Sequence, residues 1–62
     1  MKKPKCKLIG KDGNVFNLIG LVSIALRKAK LTEQVAEMRN RVFKAGSYDE
    51  ALVIMDEYVE IC

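Results

Sequence analysis

Six side chains could do chemistry in this chain: the carboxylates of Asp49, Asp56, Glu57 and Glu60, and the thiols of Cys6 and Cys62. A group of acids suits a divalent cation or an acid–base pair. On a helix, however, Asp49 and Asp56 fall two turns apart, farther than one ion bridges, and nothing around them buries a carboxylate deeply enough to tune its pKa for catalysis. The set reads as a solvated or lysine-paired face. The two cysteines are distant in sequence and neither belongs to a paired-cysteine motif, which excludes finger-type metal centres. Two free thiols are expected in a reducing cytoplasm, although pairing of the chain ends would bring Cys6 towards Cys62. The 62 residues include no histidine, so imidazole acid–base catalysis, Ser-His and Cys-His pairs and imidazole metal ligation are all excluded. No catalytic, metal-ligating or cofactor-binding residue is assigned, no cofactor is expected, and the chain reads as non-enzymatic.

Charge is distributed as a dipole along the chain. Lys2, Lys3, Lys5, Lys7 and Lys11 precede any acid, whereas Asp49, Glu50, Asp56, Glu57 and Glu60 close the sequence with no base among them. Attraction between the two ends would draw their short apolar runs together, and the net charge of +3 then overstates how cationic the folded surface is. At 62 residues, half of them hydrophobic and 31% charged, the chain is one domain, residues 1–62, with a small core. No apolar run approaches the roughly 20 residues that span a bilayer, and no signal peptide is evident, so a soluble cytoplasmic protein with no membrane partner is expected.

These groups must be positioned by five elements. Cys6 and Leu8 alternate with Lys5 and Lys7 in a half-buried strand that starts near Pro4. Gly10-Lys11-Asp12-Gly13 forms a tight turn and Asn14 caps a first helix over 15–29, whose core stripe is Val15, Leu18, Ile19, Val22, Ala25, Leu26 and Ala29. Asn17, Gly20, Ser23 and Arg27 line its polar side. A second helix is expected from Thr32, as N-cap, to Gly46, as stop, with Leu31, Val35, Met38, Val42 and Ala45 facing the core and Glu37 and Arg41 paired one turn apart. Ser47 and Glu50 form a capping box that starts a third helix, with Tyr48, Ala51, Leu52, Met55, Tyr58 and Val59 on one face. Tyr58-Val59-Glu60-Ile61 is expected to turn to strand near Tyr58. The fold class is α+β in the order strand, helix, helix, helix, strand, with the terminal strands paired in a small sheet on the helices and both sheet edges open.

Two binding signals survive this assignment. Ile24 projects onto the polar side of the first helix, between Gly20 and Arg27 or Lys28, and Val53 lies off the core face of the third. Each is either a singly exposed apolar residue or a contact with a protein partner or a second copy of the chain, with Gly20 and Ser23 permitting close approach. The other signal is the turn Ile9-Gly10-Lys11-Asp12-Gly13, which resembles the Gly-x-x-Gly loop of KH domains, where backbone grips a nucleic-acid strand. A KH loop joins two helices, however, and too few residues precede Gly10 here to build the strand and helix that come before it. Single-stranded nucleic-acid binding through Gly10, Lys11, Gly13 and Asn14 with Lys5 and Lys7 is therefore the alternative and not the favoured reading. An anion at the start of the first helix, beside Lys11 and Gly13, is disfavoured because Asn14 takes the free amides as a cap.

The stretch from Cys6 to Phe16 with its Gly-x-Asp-Gly-Asn-x-Phe motif, Ala25-Leu26-Arg27-Lys28-Ala29, the Tyr-Asp motif within Gly46 to Leu52, and Tyr58-Val59-Glu60-Ile61 together resemble a family of very small proteins. These occur in bacterial genomes, phages and other mobile elements. The resemblance implies an accessory protein and carries over no catalytic or binding residue. The function expected is that of a small binding module acting through protein–protein contacts or self-association.

Overall fold

The computed structural model describes residues 3–10 and 13–62. Along the chain run β1 (Lys5–Cys6), α1 (Val15–Lys28), α2 (Thr32–Phe43), α3 (Tyr48–Tyr58) and β2 (Glu60–Ile61). The fold is α+β, and the terminal strands pair in a two-stranded sheet on the helices. The pairing is parallel, with Lys5 opposite Glu60 and Cys6 opposite Ile61. Parallel neighbours require a long crossover, and here three helices supply it. Further bonds extend the ladder: Glu60 N–H donates to the Pro4 carbonyl at 2.8 Å, Cys62 N–H to the Cys6 carbonyl at 3.0 Å, and the Leu8 and Ile9 amides both donate to the Cys62 carbonyl.

The sheet rests on α1 and α3, and α2 packs across those two helices. Leu26, Met38, Met55, Val22 and Val59 are the largest fully buried side chains, so every helix and the approach to β2 feed one core. Cys6 and Leu8 join it, as their alternation with Lys5 and Lys7 predicts. Asn14 caps α1 by accepting from Phe16 N–H at 2.8 Å. The Ser47 hydroxyl caps α3 by accepting from Glu50 N–H at 3.1 Å, and the Glu50 carboxylate reaches back to Gly46 N–H at 3.0 Å.

Several local expectations are corrected. Leu31, not Thr32, precedes α2, and no side chain caps that helix. The cause is the way α1 ends: Lys30 takes φ 62°, the Leu31 amide donates to the Leu26 carbonyl at 2.8 Å and the Lys30 amide to that of Arg27 at 3.0 Å. This double closure leaves Leu31 at the joint, partly buried against the core, and α2 starts at once. At its other end α2 stops at Phe43, three residues before Gly46, through tight Lys44-to-Arg41 and Ala45-to-Val42 bonds. Ser23 is buried, not solvated, because its hydroxyl donates to the Ile19 carbonyl at 2.7 Å. Ile54 joins the buried face of α3, whereas Tyr48 is about half exposed. Tyr58 closes α3 instead of opening the strand, which begins at Glu60. Arg41 pairs with Glu57 of α3 and not with Glu37.

Candidate docking groove

Beside the core stripe, α1 carries a second row at the spacing i, i+4, i+8: Phe16, Gly20 and Ile24. Residues four apart lie one above the other on a helix, so Phe16 and Ile24 flank a gap where Gly20 has no side chain. A Cβ built at Gly20 would meet nothing within 4 Å. Across from this row, α2 contributes Arg39 and Phe43, also four apart. The two phenyl rings lie 6.3 Å apart at 44°, and the Arg39 guanidinium sits 6.0 Å from the centre of the Phe43 ring. Both distances fall in the range of favourable aromatic and cation–π contacts. Together these side chains, with Ile19, Ser23 and Arg27, line an open groove of about 390 Å³.

Its walls are apolar and its rim is basic. Phe16 is 68% exposed and Phe43 56%, despite the contact between their rings, and Ile24 is 49% exposed. Ser23 adds no free polar group because its hydroxyl is committed to the backbone. Arg27 and Arg39 have no carboxylate partner among the described residues. Of the residues singled out from sequence, Ile24 and Gly20 thus come together in one site. Val53 does not join them. It is 64% exposed on α3, and its four helical neighbours, at three and four residues on either side, are Asp49, Glu50, Asp56 and Glu57.

Phe16, Phe43 and Arg39 escape sequence reasoning. A signal for Phe16 is present in its i, i+4, i+8 relation to Gly20 and Ile24. Phe43 reads as one apolar residue at a helix end and acquires meaning only when α2 is laid against α1.

The alternative nucleic-acid set is dispersed among structural duties. Lys5, on β1, and Lys7, just after it, are exposed, with Lys5 beside Glu60 in the sheet. Gly10 adopts φ 86°, Gly13 packs close to the Tyr48 hydroxyl, where a Cβ would lie 3.2 Å from the oxygen, and Asn14 is used as a cap. Lys11 lies outside the described residues.

Burial pushes the Cys6 thiol up from its ordinary value, aided by nearby Cys62, and both thiols are free. Hydrogen bonds from Arg41 hold the Glu57 carboxyl below the usual carboxylate range, and the same bonds raise Arg41. That pair is bidentate, at 2.8 and 2.9 Å, and Arg41 also donates to the Tyr58 hydroxyl at 3.1 Å. Among the described residues no group of three or more His, Cys, Asp or Glu side chains could hold a metal ion, and no helix is long and apolar enough to cross a membrane. Comparison with protein-family models, with curated proteins and with solved structures finds no match to this chain.

Proposed function

We propose that this chain is a small non-enzymatic binding module that docks a protein segment in the groove between α1 and α2. The observation that carries the reading is the grouping of Phe16, Ile24 and Phe43, each about half exposed or more, around the open floor at Gly20. Scattered apolar residues are ordinary on a surface, whereas a contiguous set rimmed by charge is the composition of an interaction site. Aromatic residues and arginines are also the types that anchor protein interfaces. The setting proposed is the cytoplasm, where free thiols persist, and the resemblance to small phage and mobile-element proteins fits an accessory role there.

A displayed library of short helical peptides, panned against the intact chain, tests this reading. Selected peptides are expected to shift the amide resonances of Phe16, Gly20, Ile24 and Phe43 and to lose binding to Gly20→Gln. That substitution fills the floor without disturbing the helix, since the space is empty and glutamine favours helix over glycine by roughly 0.5–1 kcal/mol. Peptides that bind Gly20→Gln undiminished would overturn the reading. So would a groove indifferent to every peptide in a protein whose Gly13, Asn14 and β1 amides respond to single-stranded oligonucleotides.

A further inference from the structure

The groove has a counterpart on the same molecule. On α3, Val53 stands exposed inside a frame of four acidic residues, so this helix presents an apolar knob ringed by negative charge. The groove is the inverse, an apolar recess whose rim carries Arg27 and Arg39. Two of the four acids are occupied: Glu57 by Arg41, and Glu50 by the Gly46 amide; Lys3 borders the frame, donating to the Asp56 carbonyl and lying near Glu57. The side chains of Asp49 and Asp56 have no ion-pair partner among the described residues, and neither do Arg27 and Arg39. Asp49 and Asp56 straddle Val53, seven residues or about 10 Å apart along the helix axis. A small β-branched side chain also suits a floor that lacks one. Groove and knob share no residue, since one is built from α1 and α2 and the other from α3.

From this complementarity we propose that the groove's occupant is a second copy of this chain, with Val53 of one molecule seated over Gly20 of the next and Asp49 and Asp56 facing Arg27 and Arg39. The proposal rests on the docking reading above and names its partner. The contact is head-to-tail, so a pair keeps a free groove on one copy and a free knob on the other, and assembly continues into rings or open chains instead of stopping at a two-fold dimer. One knob and its rim bury little surface, which places the contact among weak, concentration-dependent associations. Opposed charges at its edge make it salt-sensitive.

Sedimentation velocity over a concentration series reaching the millimolar range, at low and at moderate salt, tests this, with Ile24→Glu and Val53→Lys as probes. Both positions are exposed, and a dispersed amide spectrum verifies that each variant is folded. The wild type is expected to pass beyond dimers at low salt and to retreat as salt rises, while each variant alone loses at least about tenfold in association. The decisive sample is the one-to-one mixture of the two variants. Val53→Lys retains an intact groove and Ile24→Glu an intact knob, so the mixture forms a dimer and nothing larger. A wild type that stays monomeric throughout the series overturns the self-association proposal, as does a Val53→Lys chain that assembles like the wild type. Peptide capture by the groove, read separately from the panned library, survives either result if its occupant is an acidic segment of another protein.

Discussion

Lys30 is the one described residue other than glycine with a positive φ, 62°, and it occupies the position at a helix end that glycine usually takes. A side chain there crowds the backbone at a cost of about 1–2 kcal/mol, part of which glycine returns through its greater freedom in the unfolded chain. Lys30→Gly is expected to stabilise the protein by roughly 0.5–1 kcal/mol, read as a higher urea midpoint with an unchanged slope. A lower midpoint would mean that the lysine stem contributes more by packing than its backbone costs. Individual residues were legible from sequence where their duty is local. Asn14 and Ser47 announce their caps through side-chain type and position, and Lys5 and Lys7 their exposure through alternation. Thr32 misleads because the closure at Lys30 is backbone geometry, with no glycine or asparagine to reveal it.

Between elements, the joint that sequence misplaces is the one made by Arg41. Spacing within α2 offers Glu37, one turn away, but packing α2 against α3 brings in Glu57 at 2.8 Å and Tyr58 alongside. Glu57 keeps a depressed folded-state pKa, so the unfolded chain binds its proton first as pH falls. The stability contributed by the pair is therefore complete above the ordinary glutamate pKa of about 4.3, and it is lost as pH drops through the lower, folded value. Glu57→Gln is expected to reduce the melting temperature at neutral pH and to converge with the wild type in acid, which a series of thermal melts would show. A difference that persists undiminished in acid would assign the effect to something other than the ion pair. Local periodicity places all three helices within a few residues, yet it cannot say which helix a long side chain will reach across to, since that depends on a crossing known only after folding.

Across the whole molecule, one core serves every element, and its margin is thin. A chain of this length is held by about 3–9 kcal/mol at 0.05–0.15 kcal/mol per residue. Met38 is fully buried at the centre of α2, and Met38→Ala is expected to cost about 2–5 kcal/mol, enough to leave a substantial unfolded fraction at physiological temperature. Circular dichroism melts would register this, and Val53→Lys, on the outer face of α3, should change stability by no more than about 0.5 kcal/mol. The α+β order was readable because charge, alternation and caps all point the same way. The parallel sense of the sheet was not, because it is set by how three helices carry the chain back. The groove was hidden for a related reason, since its two walls lie on different helices and only one wall shows a repeating pattern.

Parallel pairing also decides how the protein answers a mechanical load. Because β1 and β2 run in the same direction, a pull between Lys3 and Cys62 acts along the strands and across their hydrogen bonds. The rungs at Pro4, Cys6, Leu8 and Ile9 then share the force and must yield together, whereas an antiparallel pair pulled from adjacent ends would unzip one rung at a time. Two strands of two residues each thus form a shear clasp that closes the helical bundle against traction from its ends.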